Sequence, residues 1–263
     1  MRAAALPYGA AFCALMSLAA YCACLQAGEI PLGERRSGYE LMGRETRAMQ
    51  DDDTTNPALF ALMDGEALWN RVEGAAGRAC AGCHGDAASS MKGVAARYPT
   101  VAAGKLVNLE QRINACRTEQ QRAPAFAYES KELLALSAYV GRQSRGMPIA
   151  IEDNDATRPH IKAGRALYER RQGQLNLSCS QCHDDNWGRL LAGSAIPQGH
   201  PTGYPIYRLE WQSMGSLERR LRNCMIGVRA EPYVYGSPEM VELELYLMWR
   251  ARGMKLETPA VRP

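Results

Sequence analysis

Two short strings decide the fold: RACAGCHGD, residues 78–86, and LSCSQCHDD, residues 177–185. Each contains Cys-x-x-Cys-His. Two thiols three residues apart fall on one helical turn, and the histidine follows at once. That is the spacing by which haem c is attached: the thiols add to its two vinyl groups and the imidazole reaches the iron. One such string also fits a redox disulfide or half of a zinc site. Two, each closed by histidine, point to two covalently bound haem c groups. Cys80 and Cys83 hold one, Cys179 and Cys182 the other, with His84 and His183 as proximal iron ligands.

Working outward from each string, the chain repeats itself. GEALW, beginning at Gly65, and GRALY, beginning at Gly164, stand at equal distances before their first haem cysteines. After the motifs come LEQRINAC, ending at Cys116, and LERRLRNC, ending at Cys224. YES at Tyr128 pairs with YGS at Tyr235, and RGM recurs at Arg145–Met147 and Arg252–Met254. Repetition at this scale outranks local assignments. Ser130 and Ser237 are placed as N-caps of a last helix in each unit, Pro238 fits a first helical position, and the helices should stop near Gly146 and Gly253. The expected fold is all-α, a tandem duplication of two class I-like cytochrome c domains. The second unit is longer, and GSAIPQGHPTGYPIYRLEWQSMG, rich in Gly and Pro, reads as the loop that holds its extra residues.

The 263 residues are 46% hydrophobic and 22% charged, ordinary for a globular protein, and a net charge of +3 gives no basis for nucleic-acid binding. Residues 1–27, MRAAALPYGAAFCALMSLAAYCACLQA, have a basic start, a short apolar run and small residues at the end. They read as a cleaved signal peptide that exports the chain to the periplasm, with no stable membrane span. Residues 28–50 read as an N-terminal arm, 51–150 as the first cytochrome c domain and 151–263 as the second, catalytic one. The polar stretch 148–159 between two prolines reads as the linker.

Export removes Cys13, Cys22 and Cys24; beyond the four haem cysteines only Cys116 and Cys224 remain. They occupy the same place in the two units. Three readings are open: a Cys116–Cys224 disulfide, two buried free thiols, or one thiolate on each iron. Met147 and Met254 also repeat and are the rival sixth ligands, whereas His160 and His200 lie outside the repeat and read as exposed. Duplication favours a thiolate on each iron, Cys116 on the first and Cys224 on the second. Cys224 differs from Cys116 in its charge setting, with Arg219, Arg220, Arg222 and Arg229 around it. Guanidinium groups bind small oxyanions through paired hydrogen bonds and hold a nearby thiol ionised.

The two Cys-x-x-Cys-His motifs, the Leu-Glu-x-Arg-x-x-x-Cys after each, and RRLRNCMIGVRAEPY around Cys224 resemble the SoxA family, the catalytic subunits of the SoxAX sulfur-oxidation cytochromes, in their dihaem form. The resemblance spans the chain after the signal peptide. It implies an L-cysteine S-thiosulfotransferase that joins thiosulfate oxidatively to a cysteine of a SoxYZ-like sulfur carrier and passes electrons to a SoxX-like monohaem cytochrome c held as a heterodimer partner. It implies Cys224 as the catalytic thiolate or persulfide that also ligates the second iron, Arg220 as the substrate-binding residue, and Cys116 as the distal ligand of the first iron. Arg222 and Arg229 are lesser candidates for holding substrate. The alternative is a dihaem electron carrier with His/Met irons and no substrate.

Overall fold

The computed structural model describes residues 29–263, so the expected signal peptide lies outside the described residues. A helix α1 (Arg44–Asp51) precedes the first unit. That unit runs α2 (Leu59–Asn70), α3 (Cys80–His84), α4 (Ala87–Ser90), a hairpin of β1 (Thr100–Ala102) and β2 (Lys105–Val107), α5 (Leu109–Cys116) and α6 (Lys131–Arg142). The second runs α7 (Arg158–Glu169), α8 (Cys179–His183), a hairpin of β3 (Leu190–Leu191) and β4 (Ser194–Ala195), then β5 (Ile206–Arg208), β6 (Ser213–Gly215), α9 (Leu217–Gly227) and α10 (Pro238–Arg250). A last strand, β7 (Ala260–Arg262), pairs in parallel with β5.

In each unit the first and last helices cross, α2 on α6 and α7 on α10. The repeated glycines mark the crossing points. A Cβ on Gly65 would stand 2.3 Å from the Ala135 carbonyl oxygen, and one on Gly164 would stand 2.0 Å from that of Glu242. Only glycine allows two helix backbones to approach so closely. Next to each crossing, the aromatic residue of the repeated pentapeptide ties down the chain just after the histidine of the Cys-x-x-Cys-His motif. Trp69 Nε1 donates to the Gly85 carbonyl (3.0 Å), and the Tyr168 hydroxyl donates to Asp184 Oδ1 (2.9 Å).

The helix starts follow their capping residues. Ser130 accepts from the Leu133 N–H and Ser237 from the Met240 N–H, with Pro238 in the first turn of α10. Asn108 opens α5 with a reciprocal capping box to Gln111, and Ser216 opens α9. Helices α6 and α10 stop at Arg142 and Arg250, and turns carry the chain to Gly146 and Gly253, both at positive φ.

Four expectations change. The frame is helical, but three small antiparallel or mixed sheets accompany it, so the protein is not all-α. The Gly- and Pro-rich loop is not wholly an insertion. Its second half, from Tyr204 to Gly215, forms the β5–β6 hairpin, the counterpart of β1–β2, and only the segment before it and a longer turn are extra. The stretch 148–159 is no free linker, because Ile149 and Ile151 are buried in the core shared with α10 and Pro159 already lies in the first turn of α7. His200 is buried, with its Nδ1 3.1 Å from the Arg36 carbonyl, and burial pushes its pKa down to about 4.

The two units meet through reciprocal backbone hydrogen bonds. Gly146 N–H donates to the Leu256 carbonyl and Gly253 N–H to the Ile149 carbonyl, each at 2.8 Å. Leu256 N–H and Ile149 N–H return bonds to the carbonyls of Met147 and Met254, each at 2.9 Å. The repeated Arg-Gly-Met is thus the seam between the units. The arm before α1 and α1 itself are tied to the second unit as well. Arg36 N–H donates to Gln198 Oε1 (2.6 Å), and Gln50 Oε1 accepts from Val261 N–H of β7 (3.1 Å).

Candidate functional site

The site forms where α8, α9 and the β5–β6 hairpin converge. Ser178 caps α8, and the single turn carries Cys179 and Cys182 with free thiols. His183 Nδ1 lies 2.7 Å from the Pro197 carbonyl. A carbonyl only accepts, so Nδ1 carries the proton and Nε2 is left with its lone pair free for a metal. Helix α9 brings Cys224 to this imidazole. Burial pushes the Cys224 thiol up, but hydrogen bonding to His183 and the positive charges of Arg220 and Arg208 outweigh it and bring its pKa below the ordinary thiol value.

The arginines around Cys224 separate by what they already hold. Arg219 lies 4.2 Å over the Trp211 ring, and its Nη1 donates to Ser213 Oγ and the Met214 carbonyl, each at 3.3 Å. Arg222 donates to the Tyr233 carbonyl and lies 4.6 Å over the Tyr235 ring. Arg229 is exposed at a left-handed φ of 57°. Among the described residues Arg220 makes no side-chain hydrogen bond or ion pair. The exposed Arg229 makes none either, but of the two it is Arg220 whose charge acts on Cys224, so Arg220 is the one placed to meet an anion there.

Sequence reading missed Arg208, from β5. A signal for it was present. Tyr-Pro occurs at 98–99 and again at 204–205, and aligning the two hairpins on it sets Arg208 opposite Ala102.

In the first unit, α3 carries Cys80, Cys83 and His84, with the Trp69 ring 5.7 Å from the imidazole. Cys116, the last residue of α5, lies near Cys80: burial first, then the Cys116 charge, raise the Cys80 thiol pKa. The following basic residue, Arg117, is engaged in an ion pair with Glu73 and stacks 3.5 Å over Phe126. Arg112 is exposed. Neither arginine near Cys116 in the sequence is therefore a buried, unengaged guanidinium.

These donors fit covalent haem c. Each unit offers two free thiols and an imidazole on one turn, and the structure sets a further cysteine beside each such turn. Cys116 and Cys224 are both free, which leaves the disulfide reading without support. Met147 and Met254 are held by their backbones in the seam.

Paired helix crossings around Cys-x-x-Cys-His turns define a protein of the cytochrome c class. The family model for the SoxA/TsdA cytochrome c domain matches residues 64–149 and 163–256, and the chain belongs to that family. It is 39% identical to the L-cysteine S-thiosulfotransferase subunit SoxA of Pseudaminobacter salicylatoxidans over 88% of this chain and 82% of that one. It is 37% identical to the subunit of the same name from Rhodovulum sulfidophilum, over 87% and 80%. Its structure is similar to the crystal structure of SoxXA from P. pantotrophus, with a TM-score of 0.85, 33% identity and 87% of each chain covered. No helix among the described residues is long and apolar enough to cross a membrane.

Proposed function

We propose that this chain is the SoxA-type subunit of a periplasmic L-cysteine S-thiosulfotransferase, carrying two haem c groups on duplicated domains, 51–150 and 151–263. The observation that carries this reading is Cys224, a thiol held at His183 beside an unengaged Arg220. A plain electron carrier has no use for a cationic pocket on one unit that the other lacks.

Arg220 binds the sulfonate end of thiosulfate, one helical turn before Cys224 and on the same helix face. Its forked donors match the oxyanion and aim the sulfane sulfur at the thiolate. Joining the Cys224 thiolate to thiosulfate forms one S–S bond and releases two electrons. A carrier thiolate then attacks the sulfane sulfur, takes the –S–SO3⁻ group and regenerates the Cys224 thiolate. The net reaction joins carrier thiol and thiosulfate with loss of two electrons and one proton. When bound, haem supplies one-electron acceptance and relay toward a SoxX-like cytochrome. Cys80, Cys83 and Cys179, Cys182 would hold the two groups, His84 and His183 would serve as proximal ligands, and Cys116 and Cys224 as the distal ones. Residues 1–27 would direct export.

The test mixes the holoprotein with its partner cytochrome, thiosulfate and a SoxYZ-like carrier. A thiosulfonate adduct on the carrier cysteine, dependent on Cys224, supports the reading. Cytochrome reduction with no carrier adduct supports the electron-carrier alternative instead.

A further inference from the structure

The site holds a second guanidinium that the sequence did not single out. Arg208 ends β5, the middle strand of the three-stranded sheet, so its backbone is fixed on both sides by β6 and β7. Its side chain is mostly buried, at 15% exposure, and its Nε is buried with no hydrogen-bond partner. One terminal nitrogen, Nη2, pairs with Glu210 at 2.9 Å, a carboxylate 63% exposed and therefore on the rim. The guanidinium also lies 5.2 Å from the Trp211 ring centroid, and its charge acts on Cys224 and Arg220.

Two features make this more than a structural arginine. First, the Arg208 Nε is buried without a partner and the neighbouring Arg220 guanidinium holds none either among the described residues, so two incompletely satisfied like charges share a poorly hydrated place. Such a pair is costly unless an anion bridges it. Second, the duplication supplies an internal control. Arg220 has a counterpart, Arg112, in the first unit, whereas the position matching Arg208 is Ala102. Of these two guanidiniums, Arg208 is the one that only the unit with the cationic pocket carries.

We infer that Arg208 is the second arm of an oxyanion clamp, gripping with Arg220 the sulfonate end of the substrate beside Cys224. This rests on the thiosulfate reading above. The clamp selects small sulfur oxyanions that offer three oxygens at one end and a reactive sulfur at the other. Two forks converging on one sulfonate fix its direction as well as its position.

The experiment uses the holoprotein in complex with its partner cytochrome and compares wild type with Arg208→Gln, Arg208→Lys and Glu210→Gln. Turnover is measured over a range of thiosulfate concentrations, and binding of sulfite is measured separately by calorimetry. The clamp predicts that Arg208→Gln raises KM for thiosulfate by tenfold or more and weakens sulfite binding in parallel, with haem content and visible spectrum unchanged. Arg208→Lys should fall between, and Glu210→Gln should stay within about threefold of wild type. If Arg208→Gln binds sulfite and thiosulfate as wild type does, the clamp is overturned. It is also overturned if Glu210→Gln matches Arg208→Gln, which would make the ion pair the point of the residue. Wild type that binds sulfite through Arg208 but does not turn over thiosulfate would overturn the functional reading and leave the clamp standing.

Discussion

Tyr128 and Tyr235 stack on each other with ring centroids 5.8 Å apart and planes 13° from parallel. They occupy matching positions in the two units, so the stack lies across the seam. Tyr235 also underlies the Arg222 guanidinium, on the helix that carries Cys224. The contact between units and the shape of the site therefore share one side chain.

Replacing Tyr128 by alanine should destabilise the holoprotein by about 1–2 kcal/mol, the loss of a stacked, half-buried aromatic pair. Thermal unfolding measures it. A change within about 0.3 kcal/mol would show that the stack contributes little to the seam.

Gly164→Ala should be far more damaging than a typical surface change. Its Cβ would be driven into the Glu242 carbonyl at 2.0 Å, and backbone cannot give way as a side chain can. The expected loss is about 3 kcal/mol or more, read as reduced haem loading and a lower Tm. Gly77→Ala makes a useful contrast. No atom stands within 4 Å of its Cβ position, so only its positive φ is penalised, by about 1 kcal/mol.

The two distal cysteines should separate on mutation. Cys224→Ser should abolish formation of the thiosulfonate adduct on the carrier. Cys116→Met should alter the spectrum of one haem and lower turnover less. Equal loss of turnover in both variants would remove the division of labour between the units.

A pH effect is expected at the seam. Glu218 accepts from Asn108 Nδ2 (3.1 Å) and from the Gly236 N–H (2.7 Å), and burial, with the Glu110 and Glu129 charges, pushes its pKa up to about 7. Burial raises Glu110 in the same direction. A carboxyl whose folded pKa exceeds its unfolded value binds its proton more tightly when folded. Its contribution is fullest below about pH 4.5, declines toward pH 7 and is level above. Glu110→Gln should therefore stabilise the protein at pH 8 by about 1–3 kcal/mol relative to wild type and change little at pH 4.5. Denaturant unfolding at both values tests this; an equal effect at each would mean that Glu110 does not titrate across that range.

Much of this was legible in the chain because it is carried by local rules. A thiol–thiol–imidazole turn needs only its own five residues, and N-caps such as Ser130 and Ser237 act on the next three. Cys224 and Arg220 could be paired from helical spacing alone. Arg208 could not, because it reaches the site through strand pairing with β6 and β7 and its neighbours there are distant in sequence. His200 and the 148–159 segment were misjudged for a related reason: both look polar and unengaged locally and are buried by elements far along the chain.

The sequence by itself determined the two Cys-x-x-Cys-His turns, the doubling of the chain, and the thiol set among arginines, since each depends on residue type and short spacing. Only the tertiary structure decided which arginines are engaged and which are free. That depends on partners such as Trp211, Tyr233 and Tyr235, whose contacts exist only once α9, the hairpin and the seam have packed together. The same packing placed the repeated Arg-Gly-Met at the joint between the units, because the Gly146 and Gly253 N–H groups and the Met147 and Met254 carbonyls bond to the opposite unit.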